Sequence, residues 1–166
     1  MRRVMPAVLA ALALLGAPAL AETAAKIEIV VPADAPKTEA RDDVGDVAVT
    51  WDNGRREMLT KGAHAEQPKI GPDGLIGWTW SKQMGKELWI NEHLRVQRGK
   101  QLLFEVKSEK PFIEEWNFIA EGVAVTSRAM HGPAIIELFS IKDGKRIATS
   151  KAYGDVPAWA KPFAND

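Results

Sequence analysis

QPKIGPDGLIGWTW, residues 67–80, is the stretch that decides the predicted fold. A short extended run ends at Pro72-Asp73-Gly74, where proline presets φ for a turn and glycine accepts positive φ without a Cβ penalty. The residues that follow alternate through Trp78 and Trp80, which is the period of a β-strand. The stretch therefore predicts two extended segments joined by a tight turn, with both tryptophans on one face of the second segment.

The chain begins with MRRVMPAVLAALALLGAPALA, residues 1–21. Two arginines, a short uncharged apolar run and the small residues around Ala21 are typical of a secretory signal peptide. Arg2 and Arg3 stand at the very start without a longer polar region, which favours general secretion over twin-arginine export. We expect cleavage before Glu22 and a periplasmic or secreted protein.

Composition narrows the classes of function. Removal of residues 1–21 would leave 145 residues with 20 basic and 22 acidic side chains, a net charge of −2. Such a chain has no basic field for nucleic acid or an anionic membrane surface, and no later segment is long enough for a membrane span. It has no cysteine, which excludes disulfides, thiolate metal sites and a cysteine nucleophile.

The mature chain divides into an extension and one domain. Residues 22–46 combine a short predicted strand, KIEIVV, with a linker rich in proline, alanine and charge. Residues 47–166 are predicted to be a single all-β domain of successive short strands. Asn53-Gly54 between two such runs is the strongest short hairpin signal. The segment 83–95 is ambiguous between helix and strand.

The run AIIELFSI, residues 134–141, carries apolar side chains at both odd and even positions. Ile135 and Phe139 lie on one face of the predicted strand, and Ile136 and Leu138 on the other. A strand of this kind is covered on both sides, so sheets must stack face to face.

The chain also repeats itself. When residues 67–80 are laid over FIEEWNFIAEGVAVTS, the turn glycines Gly74 and Gly122 coincide at an offset of 48 residues. A weaker echo is the Lys-Pro-Phe sequence, which occurs at 110–112 and again at 161–163. Periods near this value are typical of four-stranded β-propeller blades.

These residues resemble a family. Pro68, Ile70, the Pro72-Asp73-Gly74 turn, Ile76 and Trp78 are similar to the WD-like repeat of bacterial periplasmic Tol-type β-propellers, with Gly71 where that pattern has a serine. The resemblance covers about residues 68–150, and its second unit contains Trp116, Phe118, Gly122, His131-Gly132 and Asp143-Gly144-Lys145. The resemblance implies blade-like sheets, and blades serve binding, scaffold and enzymatic roles alike.

The chain is too short for a closed monomeric propeller. We expect two blade-like antiparallel sheets packed as a sandwich or partial propeller. The alternative is a propeller completed by homo-oligomerisation.

Tryptophans are the main candidates for ligand contact. Trp78, Trp80 and Trp159 could stack on a sugar ring or anchor a peptide if they are exposed. Buried, Trp78 and Trp80 would form the core between sheets, and this interpretation is preferred. Their expected companions in that core are Trp51, Trp89 and Trp116.

No catalytic or metal constellation is recognisable. His64, His93 and His131 have no ligand spacing between them, so no metal and no cofactor is expected. His131 is a weak ligand-binding candidate. The preferred interpretation is that its local hydrogen bonding sets the turn in which it lies. Glu114 shares a predicted strand face with Trp116, which could raise its pKa. The preferred interpretation is a carboxylate that is paired with a nearby arginine or left at the sheet rim.

Three functions remain open. The first is a non-catalytic periplasmic module that contacts another protein through loops or a sheet edge. The second is a binder of a glycan or peptide through tryptophan side chains. The third, an enzyme with Glu114 and His131 as its least implausible pair, ranks last because the sequence offers no geometric partner for a general base.

Overall fold

The computed structural model describes residues 22–33, 44–62, 64–85 and 88–164. The predicted signal peptide at 1–21 and most of the predicted linker lie outside these residues. The described residues contain eleven β-strands and two 3₁₀ segments, and the strands pair antiparallel. No helix in this part of the chain is long and apolar enough to cross a membrane.

The strands form three sheets in chain order. The N-terminal sheet contains β1 (Ala24–Val30), β2 (Asp46–Trp51) and β3 (Arg56–Met58). The middle sheet contains β4 (Ala65–Ile70), β5 (Leu75–Met84), β6 (Leu88–Arg98) and β7 (Gln101–Lys107). The C-terminal sheet contains β8 (Phe112–Ile119), β9 (Gly122–Arg128), β10 (Ile135–Phe139) and β11 (Arg146–Lys151).

The prediction of an all-β fold with antiparallel sheets packed on one another is confirmed. Each of the two four-stranded sheets follows chain order, and none of the sheets in the described residues closes into a barrel or propeller. The predicted N-terminal strand, β1, pairs with β2, where Ile27 faces Val49 across the ladder. This pairing adds a third sheet to the two that the repeat predicts.

The middle sheet is the central layer because β5 is covered on both faces. Ile76 and Trp78 pack in one cluster with Val49 and Trp51 of the N-terminal sheet. Leu75 belongs to a second cluster, shared with the C-terminal sheet. Alternation along β5 therefore sends even-numbered side chains to one core and odd-numbered ones to the other.

The second cluster joins the middle and C-terminal sheets. Trp116 of β8 is fully buried in it, and Gly77 of β5 lies against the Trp116 ring. A Cβ at Gly77 would lie 2.8 Å from Cη2 of Trp116, closer than real Cβ atoms approach. The glycine therefore permits the close approach of the two sheets.

The Pro-Asp-Gly segment forms the predicted tight turn, with positive φ at Gly74. Pro72–Gly74 forms a 3₁₀ turn in which Asp73 (φ 54°) and Gly74 (φ 73°) both take left-handed conformations. Gly71, in the place of a serine in the Tol-type pattern, abuts Phe118 of β8. A Cβ at Gly71 would lie 2.6 Å from Cδ2 of Phe118. Packing between sheets therefore favours glycine at this position, where the backbone is extended and turn chemistry does not require it.

The predicted Asn53-Gly54 hairpin is confirmed by the antiparallel pairing of β2 and β3. The segment 83–95, ambiguous between helix and strand in the sequence, contains no helix in its described residues. Residues 81–84 continue β5, and residues 88–98 form β6. The two strands pair from Leu75↔Arg98 to Met84↔Leu88, so backbone pairing outweighs the polar side chains at 82–83.

Both faces of β10 are covered, as its sequence predicts. Phe139 lies in the core shared with the middle sheet, whereas Ile136 packs under the C-terminal residues 152–164. Val156, Ala160 and Phe163 close this outer face. The echo at 161–163 does not begin a further strand, because these residues lie in the 3₁₀ segment Ala158–Phe163.

Candidate functional site

The four ligand-binding candidates from the sequence lie in different places. Trp78 is 1% exposed and belongs to the core between the N-terminal and middle sheets. Trp80 is half-buried beside the same core. Trp159 is half-buried against the outer face of the C-terminal sheet, and His131 is exposed in the loop between β9 and β10. Among these four, Trp80 alone lines the groove described next.

That groove, which we call the β5–β6 groove, is an open depression of about 430 Å³ on the middle sheet. Its walls come from the second half of β5, from β6, from β7 and from the residue before β4. The lining residues are His64, Trp80, Ser81, Lys82, Gln83, Trp89, Glu92, His93, Arg95 and Glu105. The volume falls in the range of small-ligand sites.

A β-bulge shapes the floor of the groove. Trp80 pairs with His93, but the next residue, Ser81, pairs with Asn91, so Glu92 is an extra residue on β6. A bulge interrupts the alternation of side chains and re-aims them. As a result the neighbours Glu92 and His93 both line the groove, which strict alternation would forbid.

Three aromatic rings form one wall. The imidazole of His64 lies 5.7 Å, centroid to centroid, from the indole of Trp80 and 5.7 Å from that of Trp89. Its Nδ1 is buried without a hydrogen-bond partner among the described residues. The wall is apolar in its faces and carries ring nitrogens at its edges, a surface suited to a ligand with both apolar and polar groups.

Charged side chains of both signs surround the wall. Nε and Nη2 of Arg95 donate to Oε2 of Glu105 at 3.0 and 2.8 Å, while the guanidinium lies 5.8 Å from the Trp80 ring centre. His93 lies between two carboxylates, with Nε2 3.2 Å from Glu92 and Nδ1 3.7 Å from Glu105. The groove therefore interleaves donors and acceptors.

Glu92 holds the other charge cluster together. Nζ of Lys107 donates to Oε1 of Glu92 at 2.9 Å, and Nζ of Lys82 lies 3.8 Å from Oε2. The hydrogen bond from Lys107 lowers the pKa of Glu92, and the neighbouring His93 and Lys82 act in the same direction. Glu92 is thus held as a carboxylate with 17% of its side chain exposed.

A polar network behind the floor fixes the strands that carry these groups. The buried hydroxyl of Ser81 hydrogen-bonds to the side chains of Glu66 and Asn91, and Nδ2 of Asn91 donates to Oε2 of Glu66 at 3.0 Å. The network links β4, β5 and β6 next to the bulge. Satisfied buried networks of this kind hold one backbone arrangement.

The catalytic pair considered for the sequence is not brought together at this groove. Glu114 is exposed and its Oε1 lies 2.5 Å from Nε of Arg128, which is the paired arrangement that the sequence analysis preferred. A register shift between Ile113 and Glu115 also breaks the alternation that placed Glu114 beside Trp116. Within the described ranges, no group of three or more His, Cys, Asp or Glu side chains could hold a metal ion.

Trp89 differs from its expected role. The sequence analysis placed it in the core with Trp51 and Trp116, which are buried, but Trp89 is half-buried in the wall of the groove. Among the described residues, the core cluster that joins the N-terminal and middle sheets includes Trp51, Trp78 and Trp80 but not Trp89. The signal in the sequence was the pair Glu87 and Asn91, polar residues that alternation places on the same strand face as Trp89.

Comparison of the chain with protein-family models, with curated proteins and with solved structures finds no match. Functional inference for this protein therefore depends on the geometry of the groove.

Proposed function

We propose that this protein is an exported, non-catalytic binding module whose β5–β6 groove takes a small ligand, either a glycan or a peptide. The observation that carries the proposal is the pair of half-buried indoles, Trp80 and Trp89, on a concave surface ringed by polar side chains. Rigid aromatic side chains supply contact area with little loss of conformational entropy, and nearby polar groups orient the ligand.

The charges in the groove favour binding over hydrolysis. A glycosidase needs one carboxyl that stays protonated to act as general acid. Here Glu105 is bound by Arg95, and Lys107 holds the pKa of Glu92 below its usual range. Glu92 is therefore stabilised in the ionised form that cannot donate a proton.

Intrinsic tryptophan fluorescence tests the proposal. A ligand in the groove should quench or shift the emission, and Trp89→Phe should reduce this response. Trp159→Phe is the matched control, because Trp159 packs on the outer face of the C-terminal sheet and should leave the response intact. A response that survives Trp80→Phe and Trp89→Phe but disappears in Trp159→Phe would contradict the assignment.

A protein contact at a sheet edge is a second candidate. One outer strand of each four-stranded sheet exposes a large apolar side chain, Leu102 of β7 at 49% and Ile147 of β11 at 57%. Edge strands can pair with other chains, including a second copy. Sedimentation over a range of concentrations should show self-association that Leu102→Lys or Ile147→Lys abolishes. A monomer at all concentrations would count against the homo-oligomer.

The relation to Tol-type blades also stays a proposal. It is supported by the correspondence of the two four-stranded sheets, in which Gly74 precedes β5 and Gly122 begins β9 at the same point of the repeat. Export to the periplasm is proposed on the N-terminal sequence alone.

A further inference from the structure

The ligand class can be narrowed from the charges of the groove, and this step rests on the proposed function above. The lining residues carry two cations, Lys82 and Arg95, and two carboxylates, Glu92 and Glu105. These four charges sum to zero when the two histidines are counted as neutral, and Lys107 adds one cation beside Glu92. The groove therefore carries little net charge, and its long-range attraction for an ionic ligand is weak.

Each of these charges also has a partner inside the groove. Arg95 is bound to Glu105, and Lys82 lies beside Glu92, which also accepts from Lys107. An ionic ligand would have to compete with these ion pairs. For Glu92, whose side chain is largely buried, loss of Lys107 as its hydrogen-bonded counter-ion would be costly.

A neutral polyhydroxyl ligand meets no such obstacle. A hydroxyl group donates one hydrogen bond and accepts others, so it can join an acceptor and a donor of an existing ion pair without separating them. Glu105 beside Arg95, and Glu92 beside Lys82, present such adjacent acceptors and donors. The two pairs lie in the same groove as the aromatic wall.

The aromatic wall also suits a sugar ring. The carbon face of a sugar ring is apolar and its edge carries the hydroxyls, so packing on the Trp89 or Trp80 indole buries the face and directs the edge to the ion pairs. We propose that the β5–β6 groove binds an uncharged oligosaccharide, with a sugar ring on the tryptophan wall and its hydroxyls on the Arg95–Glu105 and Lys82–Glu92 pairs.

The test compares four kinds of probe on the mature protein by calorimetry and tryptophan fluorescence. The probes are uncharged oligosaccharides of glucose and of N-acetylglucosamine, an oligosaccharide of uronic acid, a short lysine-arginine peptide and a short aspartate-glutamate peptide. Only the uncharged oligosaccharides should bind. Raising the salt from about 0.1 M to about 1 M shortens the Debye length from about 10 Å to about 3 Å and should change their affinity less than about twofold.

Variants assign the binding to the groove. Trp89→Ala should weaken the uncharged oligosaccharide by at least about tenfold, as expected for loss of a central aromatic contact. Arg95→Met and Glu105→Met combined should also weaken it while the net charge stays unchanged. Trp159→Phe should bind like the parent protein. Circular dichroism and thermal unfolding establish that each variant is folded.

The outcomes distinguish a wrong ligand class from a wrong binding site. Binding of a charged probe alone, lost at high salt and in Trp89→Ala, would overturn the uncharged oligosaccharide and leave the groove as a binding site. Uncharged oligosaccharide binding that Trp89→Ala does not change would overturn the placement in this groove. If no probe binds, both the ligand class and the proposed binding function fail.

Discussion

Removal of the buried carboxylate of Glu137 should destabilise the C-terminal sheet. Glu137 lies in β10 and is 1% exposed. Its Oε2 accepts hydrogen bonds from the hydroxyl of Ser108 and from the backbone N–H of Glu109 (3.0 Å), and its Oε1 accepts one from Nη1 of Arg146 (2.9 Å). One side chain thus joins β10 and β11 to the connection between β7 and β8.

The magnitude follows from what Glu137→Ala would leave behind. Arg146 keeps Glu109 as a counter-ion at 3.0 Å, and Ser108 keeps its contact with the Ser127 hydroxyl. The Glu109 N–H loses a charged acceptor, and a hydrogen bond to a charged group contributes about 1.5–3 kcal/mol. Loss of the buried methylenes adds a cavity, so we expect a total of about 2–5 kcal/mol of unfolding free energy.

Glu137→Gln measures the contribution of the hydrogen bonds without creating a cavity. The amide keeps the shape of the side chain and one acceptor oxygen, but one of its positions becomes a donor that faces either Arg146 or Ser108. We expect about half the loss of the alanine variant. Urea unfolding followed by tryptophan fluorescence and by circular dichroism gives both free energies by linear extrapolation.

The reasoning would be refuted if both variants unfolded within about 0.5 kcal/mol of the parent protein, the range of ordinary surface substitutions. Ser150→Ala is a suitable reference, because Ser150 is part-exposed on β11 and its hydroxyl bonds only to the adjacent Lys151 carbonyl in the described structure.

Gly77→Ala should cost about 1–3 kcal/mol through overpacking against Trp116, and the cost should shrink in a Trp116→Phe background, as measured by a double-mutant cycle in urea. Ser81→Ala should cost about 1–3 kcal/mol in the same assay, because it opens the buried network behind the groove. Because folding lowers the pKa of Glu92, its ionised carboxylate stabilises the folded state. This contribution is complete above pH 4.5, the ordinary pKa of the group, and is lost as the pH falls through the lower pKa of the folded state. In Lys107→Met the urea midpoint should fall less steeply at acid pH than it does in the parent protein. An unchanged dependence of the midpoint on pH would contradict the role of Lys107.

The fold class could be predicted because it follows from local signals. Positive φ at Gly74, the Asn53-Gly54 hairpin and apolar residues on both faces of β10 each act over a few residues. The third sheet was harder to predict, because β1 pairs with β2 across a linker whose sequence carries no pairing signal.

The groove could not be predicted in the same way. Sequence alternation placed Trp78 and Trp80 together correctly, but it could not show that one is buried and the other borders a groove. That difference arises from packing between sheets, because residues of the N-terminal sheet bury Trp78 in their shared core and leave Trp80 only partly buried against it. The bulge at Glu92 is likewise a property of the pairing between strands.

The sequence by itself determined the all-β class, the stacking of sheets and the turn at residues 72–74. These features depend on turn chemistry and side-chain period, which involve only residues close together in the chain. Tertiary structure alone decided which tryptophan is core and which is surface. It also brought Glu92, His93, Arg95 and Glu105 into one cluster of paired side chains beside Trp80. Burial and charge pairing depend on strands that are distant in the chain, and no local pattern records how far one sheet extends over another.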